Sequence, residues 1–108
     1  MDSAVKKKLR AQAHALKPVI MIGQSGLTSG VLAEIELALN SHELIKIRIR
    51  AERENRKLIS EKICADTGSE LIQSIGQIAV IYRQDQFINA VILLIHKYHF
   101  IRSDLIFL

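Results

Sequence analysis

The side chains that could act as nucleophiles, bases or metal ligands are few and scattered. Cys64 lies in a predicted helix with no histidine at helical spacing, so we interpret it as a small core residue. His14 and His42 have no acidic partner at a telling spacing and are interpreted as surface groups. His96 and His99 could meet on a helix, but two ligands without a third do not define a metal site. The sequence therefore predicts no enzyme, no metal and no cofactor.

A glycine loop, Gly23-Gln24-Ser25-Gly26, is better suited to contact a ligand. Two glycines let the backbone turn tightly and approach a ligand without a Cβ in between. The loop leads into a predicted helix, whose unpaired N–H groups and positive dipole end attract phosphate. A GXXG loop clamps the nucleic-acid backbone in KH domains in this way. The alternative, that the glycines only allow a tight connection between a strand and a helix, stays open on the four-residue pattern alone.

A nucleotide site is a weaker interpretation of the same loop. A P-loop needs G-x-x-x-x-G-K-[ST], and a dinucleotide site needs G-x-G-x-x-G. The run GQSGLTSG matches neither pattern and has no lysine where the β and γ phosphates would lie. We therefore do not predict nucleotide hydrolysis.

Positive charge is concentrated in two parts of the chain. The 15 Lys and Arg exceed the 11 Asp and Glu, which gives a net charge of +4 and a pI near 9.5. Residues 1–17 carry +4 and residues 43–62 carry +3, whereas the rest carries −3. Binding to a polyanion requires such a one-sided distribution. Each basic segment alone is equally typical of a solvated face.

The first basic segment precedes the glycine loop. Helical spacing of Val5, Leu9, Ala13 and Leu16 predicts a helix from Ser3 to Leu16, with a cationic stripe on another face formed by Lys7, Arg10, His14 and Lys17. Pro18 cannot extend this helix, and the β-branched run from Val19 to Ile22 predicts a buried strand. The loop thus follows a strand directly.

The second basic segment follows the helix after the loop. Thr28 or Ser29 can cap that helix, which ends near Asn40. The next run alternates between isoleucine and cations, which predicts a strand with Lys46, Arg48 and Arg50 on one face.

The order of elements is completed by a third helix and a hairpin. Asn55 is predicted to cap a helix from Arg56 to Thr67, and Gly68 to end it. Two strands, from Leu71 to Ile75 and from Ile78 to Tyr82, are joined by Gly76-Gln77, as in a type II′ hairpin. At 108 residues the chain has room for one domain.

The C-terminal part of the chain has a different composition. Of residues 87–108, 15 of 22 are apolar or aromatic, without a clean period. The stretch lacking acidic residues, lysine and arginine runs only from Gln86 to His96, short of the ~20 residues that a membrane span needs. This segment could cover a face, mediate self-association, bind a partner or have no selected structure. A single cysteine and no signal-like N-terminus predict a cytoplasmic protein.

Several short runs together resemble a known family. They are Leu16-Lys17-Pro18-Val19, the run from Ile22 to Thr28, Gly30-Val31-Leu32, and His42-Glu43-Leu44-Ile45-Lys46. They closely resemble the CRM domain (chloroplast RNA splicing and ribosome maturation) in its stand-alone bacterial YhbY-type form. The resemblance covers about residues 3–83, so residues 1–84 are expected to be a CRM-type domain and residues 85–108 an apolar extension. Family members often end in a short polar or basic tail instead.

The resemblance implies a compact α/β (α+β) domain in the order α-β-α-β-α-β-β, with three helices on a four-stranded mixed sheet. This fold is similar to the C-terminal domain of a bacterial translation initiation factor. It also implies a non-enzymatic RNA-binding protein associated with precursors of the large ribosomal subunit. The RNA-binding residues implied are Gly23, Gln24, Ser25, Gly26, Thr28, Lys6, Lys7, Arg10 and Lys17, to which the strand alternation adds Lys46, Arg48 and Arg50. The alternative function is a protein-interaction module that uses residues 87–108.

Overall fold

The computed structural model describes residues 1–84 together with residues 91, 94 and 95. Its elements are α1 (Ser3–Ala13), β1 (Pro18–Ile22), α2 (Ser29–His42), β2 (Leu44–Ile49), α3 (Arg53–Thr67), β3 (Glu70–Ile75) and β4 (Ile78–Tyr82). The predicted α/β (α+β) class and the order α-β-α-β-α-β-β are confirmed. The predicted apolar extension, residues 85–108, lies outside the described residues apart from positions 91, 94 and 95.

The four strands form one mixed sheet in the order β1-β2-β4-β3. β1 and β2 are parallel, while the β2–β4 and β3–β4 pairs are antiparallel. Because β1 and β2 run in the same direction, their carboxyl ends lie at the same end of the sheet. The glycine loop follows β1 at that end, and the hairpin turn between β3 and β4 lies there too, since the N–H of Ile49 donates to the carbonyl oxygen of Gln77 at 2.7 Å.

Helices cover both faces of the sheet, but unequally. Helices α2 and α3 bury one face with a core of Ile20, Ile22, Ile35, Leu39, Ile45, Ile47, Ile49, Ile63, Ala79 and Ile81. Helix α1 packs on the opposite face through a smaller cluster of Leu9, Ala13, Leu44, Ile72 and Val80. Alternation along β2 and β4 sends their apolar side chains to these two clusters on opposite faces of the sheet. None of the described helices combines the length and apolar character needed to cross a bilayer.

Helix α1 is shorter than its apolar spacing predicts. It ends at Ala13, and the N–H of Leu16 then donates to the carbonyl oxygen of Ala13 at 3.0 Å in a turn. Proline disfavours the helical conformation of the residue before it, so the chain must leave the helix before Pro18. Lys17 therefore lies outside the helix. Val5 and Leu16, predicted to be on the apolar face, are 46% and 37% exposed.

The helix starts differ in how they are capped. Thr28 caps α2, since its hydroxyl oxygen accepts from the N–H of Val31 at 3.2 Å. The prediction that Asn55 caps α3 is wrong: the helix begins at Arg53, with Glu52 as an N-cap residue that makes no side-chain cap bond. Asn55 lies in the first turn, where its amide donates to the Glu52 carboxylate at 3.3 Å.

The two predicted turn glycines adopt the expected conformations. Gly68 ends α3 with a φ of 66°. Gly76 has a φ of 54°, and Gln77 is not among the residues with positive φ, which agrees with a type II′ turn.

A single arginine joins the end of the sheet to both large helices. The Arg83 guanidinium donates to Glu36 Oε2 at 2.7 Å and Asn40 Oδ1 at 2.9 Å on α2, and to the carbonyl oxygen of Thr67 at 2.8 Å. Only 10% of the Arg83 side chain is exposed. One planar group thus satisfies an orphan carbonyl at the end of α3 and anchors α2.

Candidate nucleic-acid interface

The glycine loop forms a tight turn at the carboxyl end of β1. The N–H of Gly26 donates to the carbonyl oxygen of Gly23 at 3.1 Å, so Gln24 and Ser25 occupy the exposed corner of the turn. Gly26 has a φ of 70°, a left-handed conformation that a residue with a Cβ adopts only at a cost. The turn itself therefore requires a glycine at position 26.

Gly23 has no comparable conformational reason to be glycine. Its φ is not positive, and a Cβ placed on it meets no heavy atom within 4 Å beyond its chain neighbours. The fold would accept a side chain here. The absence of one leaves open space in front of the backbone, which suits close approach by a ligand.

The loop is followed at once by the start of α2. Thr28 is the N-cap residue and helix α2 begins at Ser29, only three positions after Gly26. The Thr28 hydroxyl oxygen is engaged by the cap, which leaves its hydrogen to donate. The amino end of a 14-residue helix thus lies beside the glycine turn, where N–H groups and the helix dipole favour an anion.

Arg50 is held next to this loop by the backbone. Its N–H donates to the carbonyl oxygen of Ile22, the residue before Gly23, at 2.9 Å. Strand β2 ends at Ile49, so Arg50 lies just past the strand and not within the predicted alternation. Its side chain is exposed, and no ion pair among the described residues includes it.

Lys46 and Arg48 share the sheet face on which α1 packs. Lys46 pairs with Val80 of the α1 cluster and Arg48 pairs with Ile78, so these cations lie on one face as the alternation predicted. Both are half-buried. Within residues 1–84 neither makes an ion pair.

The remaining predicted cations lie farther from the loop. Lys6, Lys7 and Arg10 are on α1, whose amino end is near Glu70, since the N-terminal amino group lies 4.0 Å from Glu70 Oε1. Glu70 is at the end of the sheet opposite the loop. Lys17 precedes the edge strand β1 and lines a concavity with His42, Leu44 and Lys46. The structure thus brings Arg50 to the loop, while Lys6 and Lys7 start at the other end of the domain.

Comparison with known proteins identifies the family to which the chain belongs. The model of the CRS1/YhbY (CRM) domain matches residues 1–83, nearly the whole described part of the chain. The chain belongs to the CRM family. Its α-β-α-β-α-β-β core is therefore that of a CRM domain, as the sequence resemblance implied.

Relatives of this CRM domain are named for RNA binding. A probable RNA-binding protein of Pseudomonas aeruginosa is 48% identical over 81 residues, which is 74% of this chain and 78% of the relative. An RNA-binding protein of Haemophilus influenzae is 50% identical over 87 residues, covering 80% and 88% of the two chains. The solution structure of a hypothetical protein from Staphylococcus aureus, described as a proposed RNA-binding protein, superposes with a TM-score of 0.70 at 33% identity. The superposition covers 78% of this chain and 88% of that protein.

The CRM family consists of RNA-binding proteins and not of enzymes. Burial raises the pKa of the Cys64 thiol, which opposes formation of the nucleophilic thiolate. His14 and His42 are exposed, as predicted. No group of metal-ligating side chains occurs in the described part of the chain, while His96 and His99 lie outside it.

Sequence reasoning missed an apolar part of the CRM surface. The run from Val19 to Ile22 was predicted to be wholly buried, but its side chains alternate, and Val19 and Met21 are 52% and 54% exposed. An all-apolar run carries no pattern that shows which face is covered. Only the strand order, which places β1 at the edge of the sheet, reveals the exposed face.

Proposed function

We propose that this CRM protein binds RNA at the end of the sheet where Gly23–Gly26, the start of α2 and Arg50 meet. The observation that carries the proposal is Gly23, a glycine that neither its φ nor its surroundings require. Gly23 has no side chain and lies beside helix N–H groups and the exposed Arg50, which makes no ion pair with the described residues. Such a position is suited to an RNA phosphate. The names of the relatives support RNA as the polyanion.

The proposed contacts fall into an inner and an outer group. The inner group holds the backbone at the loop and consists of Gly23, Gln24, Ser25, Gly26, Thr28, Arg48 and Arg50. The outer group adds electrostatic attraction along α1 and the sheet face and consists of Lys6, Lys7, Arg10, Lys17 and Lys46. Because no acidic partner among the described residues neutralises these cations, each can exchange its counterion for a phosphate.

The salt dependence of binding tests this proposal. The affinity of the full chain for a fluorescent RNA is measured by anisotropy over a series of salt concentrations. We expect a logarithmic slope of about −0.7 for each phosphate contacted on a single strand. Three or more contacts would give a slope steeper than about −2. A flat dependence would contradict binding through the basic surface.

The proposed partner is ribosomal RNA in precursors of the large subunit, in the cytoplasm. This assignment is supported by the resemblance to YhbY-type proteins, and it is independent of the contact surface. Crosslinking in cells followed by sequencing of the attached RNA tests it. Enrichment of large-subunit precursor RNA is expected, and enrichment of messenger or transfer RNA alone would contradict it.

A second candidate function is self-association through residues 87–108. Leu94 and Ile95, two of the three residues described beyond Gln84, are 65% and 60% exposed. Exposed neighbouring aliphatic side chains favour contact with another protein surface. Light scattering of the full chain and of residues 1–84 tests this function. Self-association predicts a mass larger than that of a monomer only for the full chain.

A further inference from the structure

Helix α1 and the other described residues leave part of the second sheet face uncovered. Helix α1 packs over Leu44, Ile72 and Val80, towards the end of the sheet remote from the glycine loop. Beyond Val80, the same face continues to the end where the loop lies. The strand register shows which side chains this part of the face presents.

One row of directly paired residues crosses the uncovered part. Met21 pairs with Arg48, Arg48 with Ile78, and Ile78 with Ile75, so all four side chains point to one face. The row spans four strands, which is about 14 Å at ordinary strand spacing. It extends from two residues before Gly23 to the residue before the hairpin turn.

This row combines exposed aliphatic groups with a cation. Met21 and Ile75 are 54% and 62% exposed, and Val19, two residues before Met21 on β1, is 52% exposed. Arg48 lies between the two exposed residues of the row and has no ion pair within residues 1–84. His14, Lys46 and Gln73 border the same concavity as Ile75 and Ile78. The face therefore offers apolar contact, a flat guanidinium and hydrogen-bonding groups over a short span.

A double helix cannot use such a face fully. Its bases are stacked inside, so it presents phosphates and sugars to a protein and has little apolar surface to place against methionine and isoleucine. An unpaired nucleotide exposes both a base face and a phosphate. Base faces pack against aliphatic groups and guanidinium planes, and the phosphate accepts from cations.

We propose that this row, the sheet-face row, holds unpaired nucleotides of the bound RNA. Bases lie against Met21 and Ile75 on either side of Arg48, and the strand continues across Met21 to the glycine loop. The inference rests on the proposed function. It specifies that the bound RNA has an unpaired segment next to the phosphate held at Gly23. It adds Met21 and Ile75 to the interface, neither of which carries charge.

The test compares two RNAs on the full chain by fluorescence anisotropy at one salt concentration. One probe is an unstructured oligouridine and the other is a blunt RNA duplex. Met21→Gln and Ile75→Gln replace an exposed aliphatic side chain by a polar one of similar length, and Leu37→Gln is the matched control. Leu37 is 68% exposed on α2, away from the α1 face.

Each sheet-face variant should weaken binding to the oligouridine about fivefold, with less than a twofold change for the duplex. Leu37→Gln should change neither. The inference is overturned if the sheet-face variants weaken both probes equally or neither. It is also overturned if they change the mass of the protein in solution by light scattering without changing RNA affinity, since the row would then hold a protein segment.

A loop variant separates this inference from the proposed function. Gly23→Leu should weaken binding to both probes, because both carry phosphate. If it does so while Met21→Gln affects neither probe, RNA binding at the loop stands and the sheet-face row fails. If Met21→Gln weakens binding to the oligouridine alone while Gly23→Leu affects neither probe, the assignment of the glycine loop to RNA binding fails instead.

Discussion

The N–H of Arg50 donates to the carbonyl oxygen of Ile22 at 2.9 Å, which places the backbone of an exposed arginine beside the glycine loop. Ile22 immediately precedes Gly23, and the parallel pairing of β1 with β2 keeps both strand ends together. Residues that are far apart in sequence thus form one surface through a backbone bond. Gln24, Ser25 and Arg50 are exposed, so substitutions of these side chains should change binding more than stability.

Removing the charge of Arg50 should weaken RNA binding. Arg50→Gln should lower affinity about fivefold, through loss of one charge-assisted phosphate contact. The logarithmic salt slope should become shallower by about 0.7. Lys57→Gln is the control, since Lys57 is also exposed but lies on α3, across the sheet from α1. Equal effects of the two substitutions on affinity would mean that only net charge matters.

The two glycines of the loop should differ in their effect on stability. Gly26→Ala should lower the free energy of unfolding by about 1 kcal/mol, because the φ of 70° strains a residue with a Cβ. Gly23→Ala should change it by less than about 0.5 kcal/mol, since neither φ nor space opposes the methyl group. Urea denaturation measures both values. Comparable losses for both variants would make Gly23 a structural glycine.

Arg83 should contribute more to stability than an ordinary surface arginine. Arg83→Met should lower the free energy of unfolding by about 2 kcal/mol or more, because Glu36, Asn40 and the Thr67 carbonyl lose a largely buried donor. The comparison is Lys62→Met, which breaks only the exposed pair with Asp66 at 3.3 Å and should cost less than about 0.5 kcal/mol. Similar losses in urea denaturation would show that the Arg83 contacts add little.

The half-buried Cys64 thiol should make the free energy of unfolding depend weakly on alkaline pH. Burial raises the pKa of Cys64 in the folded state, so the unfolded chain loses this proton at a lower pH than the folded chain. The free energy of unfolding should therefore fall as pH rises through the ordinary range of a thiol. Cys64→Ala should remove that part of the pH dependence. An identical pH profile for both proteins would contradict a raised pKa.

Most of the fold could be predicted because its local signals agree. The Thr28 cap, the hairpin around Gly76 and the element order depend on neighbouring residues, and all of them are confirmed. The errors occur where a local signal competes with another. Apolar spacing continued α1 to Leu16, but the helix ends at Ala13 and the chain makes a turn before Pro18. Asn55 is a good capping residue, yet the chain starts α3 at Arg53 without a side-chain cap.

The candidate site could be predicted only in part. The glycine loop and the cations near it could be predicted from residue types and spacing. Their arrangement in space depends on the strand order β1-β2-β4-β3, which no local pattern specifies. This order places Met21 beside Arg48 and separates Lys6 from the loop. Exposed apolar residues in an apolar strand have no distinguishing pattern in sequence, so the sheet-face row was not predicted.

In the proposed RNA-binding mode, the lack of a side chain at Gly23 lets RNA approach the backbone. The most direct measurement is the affinity of Gly23→Leu for RNA at fixed salt, with the free energy of unfolding measured on the same sample. Ala65→Leu, an exposed substitution on α3, controls for added bulk. We expect Gly23→Leu to bind about tenfold more weakly at unchanged stability, through loss of backbone contacts to a phosphate. Affinity equal to that of Ala65→Leu and the unmodified chain would contradict the assignment of this loop to RNA.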